Sequence, residues 1–261
     1  MLFRRIRLRR SAIGTSHFSS NTPLSFMKLN ADLSQRALIH HDQLTYVPSP
    51  SQGVFRGMLD RDGDEVALAT TLVRYAPNSK FPAHKHDAGE EFLVLEGTFH
   101  DNLGTYPAGT YVRNEIGSVH APSIGPDGCL IYVKLRWMVA EDTHTVVDTI
   151  APGWTDVGQG GSLSALYRNA ATGEHAWMLL LQPDARVESL DAFDGGQEFF
   201  VVDGSVTALH DDTSTQLLKY SWLRLPPRTD CTKTVLHNTS NANARVFVKT
   251  GHLKRFVRTA A

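Results

Sequence analysis

Cysteine is nearly missing from this chain: Cys129 and Cys231 are its two thiols in 261 residues. Two cysteines, one in each half, exclude a disulfide framework and any Cys-x-x-Cys zinc or redox motif, and they fit a reducing compartment. Buried, inert thiols are the expected reading. No apolar run approaches the 18 or so residues that a membrane helix needs, so the sequence reads as a soluble body without a membrane partner. No long amphipathic helical periodicity is visible either. Acidic residues are absent before Asp32.

That last absence coincides with an excess. Arg4, Arg5, Arg7, Arg9 and Arg10 alternate with Leu2, Phe3, Ile6 and Leu8, and a Ser/Thr-rich run follows. Residues 1–26 therefore have the composition of an organelle-targeting segment, with a mitochondrial destination expected and a cytoplasmic one if the segment stays in place. A disordered basic tail is the competing reading, whereas a secretory signal is excluded by the lack of an apolar core. Without these five arginines the chain's 26 basic residues fall to 21 against 27 acidic ones, a net charge of −6. An acidic body argues against nucleic acid as a partner.

Beyond Val47-Pro48-Ser49-Pro50, short runs rich in β-branched and aromatic residues alternate with Gly, Pro, Asn and Asp every 8 to 12 residues, as in a sandwich or barrel. Within this pattern lies the most informative stretch, His84-Lys85-His86-Asp87-Ala88-Gly89-Glu90-Glu91 continuing to Gly97. On a strand, residues i and i+2 share a face, so His84 and His86 project two imidazoles together while Lys85 points away. A chain with 12 histidines yields about 0.5 His-x-His pairs by chance, so the pair alone says little. Adding a Glu after three intervening residues and a Gly after six more lowers the expectation to on the order of 0.001. Imidazoles suit zinc, copper, iron and nickel, and a carboxylate from Glu90 or Glu91 would favour manganese or ferrous iron. A third imidazole, His120, follows on a later strand.

His84-x-His86-x3-Glu90-x6-Gly97 resembles the first cupin motif, and Gly109-x7-Gly117-x2-His120 resembles the second. The wording Glu-Glu-Phe-Leu-Val-Leu-Glu-Gly and Tyr-Pro-Ala-Gly-Thr-Tyr-Val-Arg-Asn is similar to that of ChrR-like cupins. One departure is Glu115, which stands where the second motif usually has Pro and loosens a turn without removing a ligand. The resemblance implies an all-β jelly-roll barrel. It also implies that His84, His86, Glu90 and His120 converge on one divalent metal ion, iron or zinc before manganese or nickel. The motif spacing selects Glu90 over Glu91. Tyr111, Arg113 and Tyr132 flank the ligand strands and are the candidate substrate-binding residues; no catalytic base is specified.

The chain then repeats itself. Glu91-Phe92-Leu93-Val94-Leu95-Glu96-Gly97 returns as Glu198-Phe199-Phe200-Val201-Val202-Asp203-Gly204, and Tyr132-Val133-Lys134 returns as Phe247-Val248-Lys249. A repeat of this size marks a duplicated domain. The expected architecture is two tandem cupin barrels: an N-terminal metal-binding one at 27–140, a linker at 141–161, and a degenerate C-terminal one at 162–256. In the second copy Asp191, Phe193 and Gln197 replace His84, His86 and Glu90, and Cys231 falls opposite His120. Such a set makes no plausible metal site, so one ion per chain is expected. The second barrel is read as bulk covering apolar surface of the first, within the chain or across a homodimer.

Three imidazoles and a carboxylate leave positions of a five- or six-coordinate ion open to a small-molecule substrate. The expected activity is that of a metal-dependent dioxygenase, an oxidoreductase acting on a small diketone, hydroxy-ketone or phenolic substrate. The alternative implied by the resemblance is a non-catalytic zinc module acting in oxidative-stress sensing or as a structural element. The helical zinc domain of ChrR-type anti-sigma factors has no counterpart here, since residues 1–64 contain no cysteine.

Overall fold

A computed structural model of the chain describes residues 27–151, 153–188, 195–228 and 233–257. The basic segment 1–26, together with Asp191, Phe193 and Cys231, lies outside the described residues. Apart from two short 3₁₀ turns, every regular element described is a β-strand.

The first half builds a nine-stranded antiparallel sheet. Its central ladder runs Val54–Asp62, Leu68–Tyr75, Ser123–Leu135, Glu90–His100, Thr110–Asn114, and it faces a two-stranded ribbon, His84–Lys85 with Val119–His120. The second half repeats this ladder as Gly161–Asn169, Glu174–Leu181, Ala244–Thr250, Gln197–Asp203, Trp222–Leu225, opposed by a four-stranded sheet. The register repeats too. Glu90 lies opposite Asn114 and Leu135, and Gln197 lies opposite Leu225 and Thr250. These are two cupin jelly rolls in one chain.

Side-chain alternation decides which residues fill which core. Phe92, Val94, Ile131 and Val133 point into the first barrel, while Phe199, Val201, Val246 and Val248 point into the second. The intervening residues Leu93, Leu130 and Tyr132 leave by the other face and meet Phe200, Trp222 and Phe247 in a third apolar cluster between the barrels. There Tyr132 stacks on Phe200 with ring centroids 4.4 Å apart. Both faces of each large sheet are thus covered, which is why these strands read as nearly continuous apolar runs.

Charged residues are buried in this interface as reciprocal pairs. Lys134 Nζ lies 2.6 Å from Glu198 Oε2, and Lys249 Nζ pairs with Glu91 and, at 2.7 Å, with Glu174. Burial alone would push Glu91 up, but Lys249 and Arg113 outweigh it and hold this carboxyl at about 2. Glu198 is likewise drawn below the ordinary carboxylate range by Lys134 and His252 against the effect of burial. Unpaired, each would be an isolated charge in a low-dielectric core, the costliest arrangement available.

Residues 141–161, expected as a linker, contribute a strand to each half. Thr145–Asp148 pairs with Thr110–Asn114 in the first sheet, and Thr155–Gly158 pairs with Gly161–Asn169 in the second. The N-terminal arm crosses over as well: Ala37–Ile39 forms the edge of the second sheet beside Trp222–Leu225. Local sequence pattern carries no record of which sheet an edge strand joins.

Candidate metal centre

His84 and His120 are direct cross-strand partners in the two-stranded ribbon, so their rings necessarily stand side by side. His86 follows at the ribbon's end, where its N–H donates to Ser118 O and its C=O accepts from Gly89 and Gly117 N–H. Glu90 begins the strand that closes the barrel behind them. The motif glycine Gly97 has φ +70, and a Cβ there would sit 2.1 Å from Gly128 O, so only glycine lets the two strands approach.

The three imidazoles converge. Ligand nitrogens of His84, His86 and His120 lie within 4.8 Å of one another. Nε2 of His120 is 2.9 Å from that of His86 and 3.3 Å from that of His84. Glu90 Oε2 stands 3.5 Å from His86 Nε2 and 3.6 Å from His120 Nε2. The four sequence-predicted ligand residues therefore meet at one place.

Their outer atoms are committed elsewhere. Nδ1 of His120 lies 3.0 Å from Asp101 Oδ2, and Asp101 also accepts from Leu103 and Gly104 N–H. Nδ1 of His84 lies 3.1 Å from Pro82 O. With the rings neutral, an acceptor at Nδ1 places the proton there, and Nε2 of both rings then presents a bare lone pair toward the centre. Two lone pairs at 3.3 Å repel unless a cation sits between them. Nitrogens each about 2.1 Å from one ion subtend a 2.9 Å separation at roughly 90°, so this donor set fits a divalent metal. Burial lowers the His86 pKa. Burial opposes charge on His120 as well, but Asp101 and Glu90 outweigh it and its net shift is upward. Asn114 Nδ2 donates to Glu90 Oε2 at 3.4 Å, and Asn114 Oδ1 accepts from His144 Nδ1 at 3.1 Å.

One side of the centre opens into a cleft of about 380 Å³ reaching His84, His86 and Glu90, with Tyr75, Phe81 and Val133 among its apolar walls. Burial first, and then Glu90, push the Tyr75 hydroxyl well above its ordinary range, so it stays neutral.

Tyr111, Arg113 and Tyr132 do not line this cleft. Tyr111 donates to Glu91 Oε2 at 2.8 Å. Arg113 bridges Glu91, Asp142 and Glu174, and Tyr132 lies among Phe200 and Phe247. They occupy the sheet face turned toward the second barrel, because each alternates with the residues that point inward. Asp101 and His144 were missed in the sequence. The only signal for Asp101 was an Asp-Asn-x-Gly turn placed before the His120 strand.

Tandem jelly rolls with a histidine centre in one of them define a bicupin. Residues 34–139 match the family described as the ChrR Cupin-like domain, and this domain is a ChrR-like cupin. No curated protein matches the chain by sequence. Among solved structures, the chain is similar to a candidate glyoxylate-induced protein from Pseudomonas aeruginosa, at 12% identity and TM-score 0.67, over 87% of this chain and 91% of that one. It is also similar to a candidate dioxygenase from Nostoc punctiforme PCC 73102, at 14% identity and TM-score 0.62, over 87% and 85%. A third is the pirin YhhW from Escherichia coli in complex with nickel(II), at 15% identity and TM-score 0.60, over 83% and 98%. At these identities the likeness shows the shared fold.

Proposed function

We propose that the chain is a metal-dependent enzyme of the oxygenase type, acting at the N-terminal barrel on a small diketone, hydroxy-ketone or phenolic substrate. The observation that carries this reading is the pairing of a convergent His84, His86, His120 and Glu90 set with a cleft that reaches three of those four residues. A closed structural zinc site satisfies its ion with protein ligands alone; a cleft at the ligands instead leaves room for a substrate.

These four residues would hold the ion, which when bound supplies Lewis acidity and, if it is iron, electrons for dioxygen chemistry. Asp101 fixes the His120 ring, and Asn114 fixes the Glu90 carboxylate. The apolar walls would pack against the body of a bound substrate, and the neutral Tyr75 hydroxyl offers a donor to a substrate oxygen. Nickel(II) in the pirin and the dioxygenase reading of the Nostoc protein are compatible relatives at the level of fold.

The test is elemental analysis of protein purified without added metal, combined with oxygen uptake on a panel of diketones and hydroxy-aryl ketones. One iron per chain with substrate-dependent uptake is expected. One zinc per chain and no uptake would replace this reading with the zinc-module alternative. We further propose that residues 1–26 direct the protein to an organelle. A fluorescent reporter carrying residues 1–30 should then enter mitochondria, and a diffuse cytosolic signal would refute this.

A further inference from the structure

The strand Ser123–Leu135 ends in a feature that its counterpart in the second barrel handles differently. Arg136 has φ +69 and donates its N–H to Gly89 O at 3.1 Å. At the corresponding place Gly251 has φ +79 and donates its N–H to Gly196 O at 3.1 Å. The backbone geometry is the same in both copies, and it is a left-handed one that glycine adopts freely and a side chain with a Cβ does not. The second barrel meets this demand with glycine. The first, which alone carries the convergent histidines among the described residues, places an arginine there.

The left-handed turn also changes which residues reach the cleft. Val133 and Leu135 face the cleft while Lys134 between them faces the other barrel, so Arg136 in continued alternation would follow Lys134. Instead Arg136 lines the cleft beside Leu135. The other cations of the cleft wall are occupied: Arg56 binds Glu65 through two contacts of 3.1 and 3.2 Å, and Lys85 lies 3.3 Å from Asp87. No hydrogen bond or ion pair engages the Arg136 guanidinium among the described residues. Strain retained at a cleft, in a position where the copy has none, is the mark of a side chain kept for a ligand.

We propose that Arg136 is the anion anchor of the cleft and that the substrate is a small carboxylate, with an apolar aryl or alkyl body and a carbonyl or hydroxyl oxygen turned toward the histidines. This rests on the reading of the cleft as the substrate site. Arg136 is a specificity-determining residue here: its planar fork matches a carboxylate in a bidentate pair.

The experiment is calorimetric binding of phenylpyruvate and of its neutral methyl ester to the full chain, as wild type, Arg136→Gly and Arg136→Lys, with metal content measured on each. Glycine is native to this backbone conformation, so Arg136→Gly keeps the fold. The wild type should bind the acid about 10- to 100-fold more tightly than the ester, the worth of a charged hydrogen bond. Arg136→Gly should lose that preference with ester affinity and metal content unchanged, and Arg136→Lys should keep part of it. An acid bound no more tightly than the ester by the wild type, or a preference that survives in Arg136→Gly, overturns the proposal. Protein that takes up no ion yet shows an Arg136-dependent preference overturns the metal reading and leaves the role of Arg136 standing.

Discussion

Glu90 and Gln197 occupy the same place in two copies of one fold, each opening the strand that closes its barrel and each opposite the same pair of neighbouring strand positions. Glu90 stands beside two convergent imidazoles. Gln197 is buried, and its amide finds no hydrogen-bond partner among the described residues. One residue further on, the copies agree: Glu91 and Glu198 both turn outward, each to a lysine of the other barrel. Arg113 and Arg224 are likewise both buried, against Glu91 and Asp60 respectively. The duplicated interface has kept its charges where the duplicated interior has exchanged its own. Holding two barrels together and holding a metal are separate demands, met on alternate residues of the same strands.

The metal content is where this comparison breaks most visibly. Native protein should hold one ion per chain, and the double variant His84→Ala, His86→Ala should hold none by plasma mass spectrometry. Two ions per chain would mean that the second barrel is not degenerate. Next in size is the interface. Lys134→Met leaves Glu198 only the neutral His252 and should cost about 3–5 kcal/mol in chemical denaturation, whereas Lys249→Met leaves Glu91 and Glu174 still paired with Arg113 and should cost less. Removing the exposed Lys28–Asp62 contact should cost under about 1 kcal/mol. Equal losses for the two lysines would show that Arg113 does not compensate for Lys249. Asp101→Asn releases the His120 ring and should weaken metal binding about 10- to 100-fold in competition titrations, with little change in stability. Smallest of all, Arg136→Gly should raise stability by about 1 kcal/mol, while Gly251→Ala in the other barrel should lower it, since a Cβ there would lie 2.0 Å from Gly173 O.

Much of this was legible in the chain. His84, His86, Glu90 and His120 could be picked out because local strand geometry and two short motifs bring them together, and the recurrence of Glu-Phe-x-Val-x-x-Gly exposed the duplication. The pocket residues could not. Tyr111, Arg113 and Tyr132 sit on strands buried on both faces, where apolar residues occupy both phases of the alternation and do not reveal which face looks at the ligands. Lys134 and Lys249 were visible within the repeat, yet a lysine in a strand is ordinarily solvent-facing, and only the carboxylate from the opposite barrel accounts for its burial. Asp101 acts across a turn through tertiary proximity, which spacing does not encode.

The crossing strand Ala37–Ile39 carries a consequence for how the molecule is made. It leaves the ribosome early, but the sheet edge it completes, Trp222–Leu225, is made late. The first barrel can close early, whereas the second stays one strand short until the chain's two ends meet. That contact spans most of the sequence, and ordering so long a loop makes it a slow step. Cutting the chain between the barrels would therefore not release two independent domains: the C-terminal piece would expose an unpaired edge, the kind of surface on which strands of other molecules add.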